Sequence, residues 1–276
     1  MPELPEVQTV IEGIKPKILN KKILDFTKYV SKLRYPISQS IRKKINGRLV
    51  KSIYRRAKYI IIDLENNQSI VIHLGMSGRI VVLGSGDNQL SKHTHFIIKF
   101  SNKIELIYID PRRFGLIKII PSNLLPKSKI FNHLGIEPLS KEFNERHLKK
   151  ICEKKKSSIK STLMNQKNVV GVGNIYASES LFLAKVNPLK VSSQLSIHEC
   201  NLIVKSVKKV LNKSIKQGGS SINDYAMVSG KLGNYQNKLE VYGREGSICR
   251  KRTCKSEILR IVIAQRSTFY CPVCQN

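Results

Sequence analysis

The sequence predicts an α+β chain in three parts. A helix leads into an antiparallel β-sandwich over residues 1–125, a helical domain follows over 126–237, and a cysteine-bearing β-hairpin closes the chain over 238–276. Three observations carry this reading. Between residues 21 and 120, short β-branched runs alternate with turn signals at hairpin spacing. After Ser140 the apolar residues recur at helical period instead. Four of the six cysteines crowd into the stretch from Cys249 onward. With 276 residues and 41% hydrophobic content, the chain is long enough for two domains with cores of their own.

The first helix follows directly on Met1-Pro2-Glu3-Leu4-Pro5-Glu6-Val7, because Val7, Val10, Ile11 and Ile14 form one apolar face. Pro5 suits a first turn, and Glu3 and Glu6 lie at the positive end of the helix dipole. The β region holds five evident strands, at 59–64, 69–74, 79–83, 95–100 and 105–109. Turn-forming residues separate them at 65–67, 75–78, 84–88 and 101–102. Pro121, Pro126 and Pro138 mark a connecting stretch, and helical periods then cover 144–156, 159–166, 174–185 and 196–217. Gly218-Gly219 ends the last of these and opens a small, polar loop through Asn234, a candidate lid.

Lys and Arg number 49 against 19 Asp and Glu, a formal charge of +30. Such an excess predicts a polyanionic partner, with nucleic acid ahead of an anionic membrane. No apolar run reaches about 18 residues and no basic segment precedes a short apolar one, so neither a membrane span nor a secretory signal is expected. Clustered cysteines without such a signal point to a metal site in an intracellular, cytoplasmic protein. Cys152 and Cys200, alone in helical stretches, are expected to be reduced core residues.

Several stretches can carry chemistry. Removal of Met1 would leave Pro2 with a secondary α-amine, and such amines titrate near ~8, low enough to be partly nucleophilic at neutral pH. A fixed proline amine beside two carboxylates can attack an aldehyde-like carbon to give an iminium. The same seven residues also suit an ordinary helix start, and taken alone they leave both readings open. Cys249-x4-Cys254 and Cys271-x2-Cys274, sixteen residues apart, have the arrangement of a closed tetrahedral zinc site with a structural role. Arg260, Arg266 and the run Arg250-Lys251-Arg252 make this module cationic, suited to phosphates. Asp110-Pro111-Arg112-Arg113-Phe114-Gly115 presents an aromatic between cations on a rigid turn, and His73-Leu74-Gly75-Met76-Ser77-Gly78 presents Met76 on a glycine-flanked tip. Either can wedge into a base stack, and either can be a simple packed turn. His93-Thr94-His95 offers a polar or phosphate contact. The run Arg55-Arg56-Ala57-Lys58-Tyr59 is a basic strand entry, and Val169-Val170-Gly171-Val172-Gly173-Asn174 leads glycines into a helix start that can face an anion.

Taken together, these motifs resemble the formamidopyrimidine-DNA glycosylases, base-excision enzymes for oxidised purines, over essentially the whole chain. They include the amino-terminal heptad, Arg55 to Tyr59, His73 to Gly78, Asp110 to Gly115, Gly171-Val172-Gly173-Asn174-Ile175-Tyr176-Ala177 and the cysteine finger. The resemblance implies a β-sandwich, a helix-two-turn-helix domain and a zinc hairpin. It implies Pro2 as the nucleophile at C1′, Glu3 as general acid/base, Glu6 as support for the terminus, and Lys58 as proton donor and phosphate contact. Met76, Arg112 and Phe114 match residues that fill the gap left by an extruded base. His93, Lys155, Lys160, Asn174 and Arg266 match phosphate-holding positions, Arg266 also serving in elimination. Residues 220–235 correspond to a loop that closes over the flipped base. Cys249, Cys254, Cys271 and Cys274 would bind one structural Zn2+, and the partner would be damaged duplex DNA. The implied chemistry needs no redox cofactor or catalytic metal, and the family expectation is a monomer.

One departure is the x4 spacing of the first cysteine pair, where many members have x2, so 250–253 would loop out. A sister family acting on oxidised pyrimidines shares the proline nucleophile, but Leu4 and the complete set of Met76, Arg112 and Phe114 favour the purine enzymes. A zinc-finger DNA-binding protein without catalysis would explain the charge and cysteines but gives no reason for Pro2-Glu3.

Overall fold

The computed structural model describes residues 1–84, 90–220 and 233–276. The sequence-predicted turn at 84–88 falls almost wholly outside the described residues, as does the candidate lid apart from its two ends.

The described chain divides into two compact units, one of Met1–Asn132 with Gln217–Asn234 and one of His133–Lys216 with Tyr235–Asn276. In the first, α1 (Leu4–Ile18) starts one residue before Pro5 and runs through Pro16 to Ile18, so the helical period continues past its four clearest apolar positions. Two four-stranded antiparallel sheets follow. One has the order β1 (Ile23–Lys28), β6 (Thr94–Phe100), β7 (Ile104–Ile109), β5 (Arg79–Gly84). The other has the order β2 (Val50–Arg56), β3 (Tyr59–Leu64), β4 (Gln68–His73), β8 (Leu116–Pro121). The five strands read from β-branched runs are β3 to β7. The other three, β1, β2 and β8, carry polar and charged residues among their apolar ones and show less pattern. Val7, Val10, Ile11 and Ile14 of α1 join Ile60, Ile62, Ile70, Ile72, Phe96 and Ile98 in one core. Each such buried side chain contributes about 1.5–3 kcal/mol. A short helix, α2 (Ile41–Ile45), contributes Ile41 and Ile45 to the same core.

Chain order against sheet order positions the loops that bear Met76 and Phe114. Because β4 and β5 belong to different sheets, the segment 74–78 crosses between them. The β7 to β8 connection, 110–115, crosses back. The two crossovers touch: a Cβ on Gly75 would lie 2.5 Å from the Phe114 carbonyl carbon.

In the second unit, α3 (Glu145–Cys152), α4 (Ile159–Met164), α5 (Asn174–Ala184) and α6 (Ile197–Lys216) precede a hairpin of β9 (Leu259–Ile263) and β10 (Arg266–Tyr270). Helix α3 stops at Cys152, earlier than its pattern suggested, because the run Lys154-Lys155-Lys156 offers neither an apolar partner nor charge compensation. Helices α5 and α6 are pinned by Tyr176 and Ser214, whose hydroxyls lie 2.6 Å apart.

Candidate active site and nucleic-acid interface

The amino terminus of α1 is buried rather than frayed. Met1 is exposed, but Pro2 behind it is buried, and Glu3 and Glu6 are 3% and 2% exposed. The Glu6 carboxylate binds in two directions. Its Oε2 accepts the Glu3 backbone N–H at 2.8 Å, and its Oε1 accepts the Ser220 N–H at 2.8 Å. Gly219, at φ +77°, lies so close that a Cβ there would sit 3.0 Å from Glu6 Oε1. The helix start, through one carboxylate, is therefore tied to the residues that open the 220–235 loop. Lys58, 7% exposed, stands at the tight β2–β3 turn, where Ala57 takes a left-handed φ of 53°. Arg55 Nη1 closes that turn on the Ala57 carbonyl at 2.9 Å.

Burial at this corner opposes the charge of a terminal amine. The terminal ammonium at Met1 is held below its ordinary 8.0, first by burial and then by Lys58 and Arg112, against the opposing pull of Glu3 and Glu6. His73 is lowered to about 4 by burial, with Lys58 and Arg34 adding to it. It is therefore a neutral imidazole at physiological pH, and its Nδ1 accepts the Gly75 N–H at 2.9 Å.

The crossing loops present Met76 and Phe114 to solvent at 42% and 45% exposure. The Arg112 guanidinium stacks over the Phe114 ring at 4.9 Å. These three residues from two connections thus form one exposed group. His93 lies just before β6, half-buried, while His95 is buried and binds the Asp110 carbonyl through Nε2 at 2.7 Å. β6 carries a bulge between Thr94 and Phe96, at His95.

In the second unit, Asn174 opens α5 beside the hairpin. Its Nδ2 donates to the Ser267 carbonyl at 2.9 Å, and its Oδ1 accepts Lys160 Nζ at 2.6 Å. Lys160, 1% exposed, also donates to Thr268 Oγ1 at 2.7 Å and the Ser267 carbonyl at 3.2 Å. Its ammonium is thus engaged in joining α4, α5 and β10. Arg266 is exposed at the start of β10 and lines, with Lys160, Ser161 and Asn165, a cavity of about 170 Å³. Lys155 is half-buried beyond the end of α3, apart from that cavity's lining.

The four hairpin cysteines converge, with all their Sγ atoms within 4.8 Å of one another. Cys249 and Cys274 lie 4.0 Å apart, and Cys254 and Cys271 lie 3.6 Å apart. A tetrahedral four-thiolate zinc with bonds of ~2.3 Å spaces its sulfurs by about 3.8 Å, so this donor set fits the ion. The longer first knuckle does not prevent convergence.

A family model described as "Formamidopyrimidine-DNA glycosylase N-terminal domain" matches residues 1–117. The H2TH domain of the same enzymes matches 134–226, and a zinc finger found in FPG and IleRS matches 246–276. A curated formamidopyrimidine-DNA glycosylase from Wolbachia pipientis subsp. Culex pipiens (strain wPip) is 43% identical over 276 residues, covering 100% of both chains. The chain belongs to the formamidopyrimidine-DNA glycosylase family. Within that family it is similar to the wild-type Lactococcus lactis Fpg (MutM) solved with N7-benzyl-Fapy-dG containing DNA, at a TM-score of 0.91 and 34% identity over 100% of both chains. A complex of Lactococcus lactis Fpg with abasic-site DNA matches at a TM-score of 0.90, 34% identity and 99% coverage of each.

Sequence reasoning missed one buried carboxylate contact in each unit. The first is the Ser220 N–H and Gly219 at Glu6, a pairing 214 residues apart that no local pattern announces. The second is Glu179, 2% exposed in α5, whose carboxylate accepts the backbone N–H groups of Glu240, Val241 and Tyr242 at 2.9, 3.0 and 2.9 Å. Burial raises its pKa against those three bonds. A lone Glu among Ala177, Ser178, Ser180 and Leu181 was the available signal.

Proposed function

We propose that the protein is a bifunctional DNA glycosylase and AP lyase, excising oxidised purines from duplex DNA through a covalent intermediate on Pro2. The observation that supports the mechanism is the buried helix start, where Pro2 is followed by two buried carboxylates, Glu3 and Glu6, and Glu6 holds the Glu3 N–H at 2.8 Å. After loss of Met1, the Pro2 amine attacks C1′ of the flipped nucleotide. Glu3 protonates the sugar ring oxygen, the C1′–N bond breaks, and the base leaves with its electron pair and takes up a proton. The nitrogen lone pair then opens the sugar to an iminium at C1′, which acidifies C2′. Removal of a C2′ proton expels the 3′ phosphate, and a second elimination expels the 5′ phosphate. Water finally releases Pro2.

The other residues divide between holding DNA and holding the site. Glu6 fixes the helix start, and Lys58 serves as proton donor and phosphate contact. Met76, Arg112 and Phe114 fill the helix after the base is extruded, offsetting part of an unstacking cost of a few kcal/mol. His93, Lys155, Asn174 and Arg266 hold phosphates. Lys160 contributes by keeping Asn174 and the hairpin in register, given its three internal bonds. Cys249, Cys254, Cys271 and Cys274 would hold one structural zinc ion, a closed site with no place for substrate. The division into catalytic (1–125), helix-two-turn-helix (126–237) and zinc-finger (238–276) parts, a monomeric state and a cytoplasmic location complete the reading. No helix among the described residues is long and apolar enough to cross a membrane.

Borohydride trapping on a duplex with 8-oxoguanine opposite cytosine tests the reading. The expected result is a protein–DNA adduct on that duplex and none on an undamaged one. Tight, salt-sensitive binding without an adduct would return the protein to the non-catalytic DNA binders.

A further inference from the structure

We propose that Asp110 is a positioning residue whose buried carboxylate, bridged by Ser77, locks the loops bearing Met76, Arg112 and Phe114 into one preformed wedge. The inference rests on the reading of those three residues given above. It answers a physical problem: two loops that cross between sheets expose large apolar side chains, and neither loop has a core of its own.

Asp110 is 0% exposed and follows directly on β7. Its Oδ1 accepts the Ser77 hydroxyl at 2.6 Å, and its Oδ2 accepts the Gly115 N–H at 2.8 Å and the Tyr108 hydroxyl at 3.2 Å. Ser77 Oγ in turn accepts the Arg112 N–H at 3.1 Å. One carboxylate and one hydroxyl therefore join the Met76 loop to both residues that bracket Arg113 and Phe114. Hydrogen bonds of this kind to a carboxylate are shorter and stronger than neutral ones, and burial keeps water from competing.

The backbone of Asp110 is held as firmly. Its carbonyl accepts His95 Nε2 at 2.7 Å and the Arg113 N–H at 3.1 Å, and its N–H donates to the His93 carbonyl at 3.1 Å. Arg113 takes a left-handed φ of 56°, an unfavourable conformation for a residue with a Cβ, and these bonds hold it there. Tyr108, stacked on Phe96 at 4.7 Å, supplies a rigid floor. Burial and the Asp110 carboxylate raise its phenol well above the ordinary range, so it remains a donor. Gly75, Gly78 and Gly115 leave no room for a Cβ against Phe114, Leu74 and Tyr108, which keeps the two loops in contact. Asp110 cannot itself touch DNA from this interior position, so its effect must pass through the wedge.

A wedge already in shape loses less side-chain and loop freedom on entering the duplex than one that must be ordered there. Asp110→Asn turns one acceptor oxygen into a donor facing donors, and Ser77→Ala removes only the bridge while leaving the Asp110–Gly115 bond. Both are to be compared with Phe114→Ala in two single-turnover assays. One is excision of 8-oxoguanine from a duplex, which requires extrusion. The other is borohydride trapping on single-stranded DNA carrying a ready-made abasic site, which has no stacked base to displace.

The expected result is a fall of about tenfold or more on the duplex for both hub variants, since ångström-scale misplacement can cost up to ~100-fold. Trapping on the single strand should stay within about twofold, as a positioning role confined to the wedge requires. Equal losses on both substrates, or an unchanged duplex rate, would overturn the proposal while Phe114→Ala still impairs the duplex reaction. If Phe114→Ala leaves the duplex rate intact, the wedge reading itself falls and takes the hub with it.

Discussion

Pro2 and Glu3 lead into α1 and Glu6 lies in its first turn, and the helix's Val7, Val10 and Ile14 are wholly buried in the core that joins the two sheets. The cysteine hairpin has no comparable support, since Leu259 and Val262 are 42% and 70% exposed and its small core is largely Cys249, Cys254 and Cys271 with Ile258 and Phe269. Both regions present candidate functional groups on short segments. One holds them by apolar packing and hydrogen-bonded carboxylates, the other by sulfurs around a site for an ion. Damage should accordingly be local in the first region and total in the second. A polar substitution at the helix start removes chemistry from an intact fold, whereas loss of one sulfur removes the hairpin's organising centre.

The largest effect should come from Pro2→Gly or from one extra residue ahead of Pro2. Either change removes the secondary amine from its fixed place, and we expect single-turnover excision to drop by about a thousandfold or more, the scale seen when a covalent nucleophile is lost. Thermal unfolding should change far less, because Pro2, though buried, lies outside the apolar core. A variant that retained excision and trapping would break the assignment of the nucleophile.

Next comes the other side of the comparison. Cys271→Ser, or chelation, should release the metal, and structural zinc contributes about 10–16 kcal/mol of apparent binding energy in small modules. The hairpin carrying Arg266 should then lose order and DNA affinity should fall steeply, while the first unit keeps its unfolding transition. Zinc content by atomic absorption, together with separate melting of the two units, checks this. One shared loss of both transitions would mean that the hairpin and the helix start depend on a common support.

Glu6→Gln should give a smaller, sharper effect. It keeps the size of the side chain but replaces a carboxylate that accepts both the Glu3 and Ser220 N–H groups at 2.8 Å with a group having only one acceptor oxygen. One buried N–H loses its partner, a cost of about 1–3 kcal/mol. We expect excision and stability to fall together, with protease sensitivity rising around 217–220, because that segment is tied to the helix start. Loss of excision without any change near 217–220 would separate the two ends of this contact.

How much of this was legible in the sequence follows from how local each feature is. Helix α1, the strands β3 to β7 and the four-cysteine spacing declare themselves within a few residues, through period, turn chemistry and ligand type. The strands β1, β2 and β8 do not, since their polar residues are tolerated by pairing that only the assembled sheet supplies. Glu6 was legible as a helix-start residue but not as the partner of Ser220, and Lys160 was legible as a cation but not as a buried one. Asp110 stood inside a motif chosen for its arginines and aromatic. Tyr108 and Gly115 are its neighbours in the chain, but Ser77 reaches it only because two crossovers lie side by side.

The smallest expected effect concerns acid. His73 takes up a proton near 6.5 in the unfolded chain but only near about 4 in the fold, where burial dominates and Lys58 and Arg34 oppose a further charge. Between those values the unfolded state binds more protons, so stability is full above pH 6.5 and falls as the pH drops toward 4. The slope from this one group is at most about 1.4 kcal/mol per pH unit. Protonation would also deprive the Gly75 N–H of its acceptor at 2.9 Å, so acid should loosen the Met76 loop before it unfolds the sandwich. His73→Gln should flatten the acid limb of a urea-unfolding series taken from pH 7.5 to 4.5, at a modest loss of stability at pH 7.5 from the Tyr59 ring contact at 4.7 Å. An unchanged limb would assign the acid sensitivity to other groups, and would leave the first unit's polar corner as resistant to acid as its apolar core.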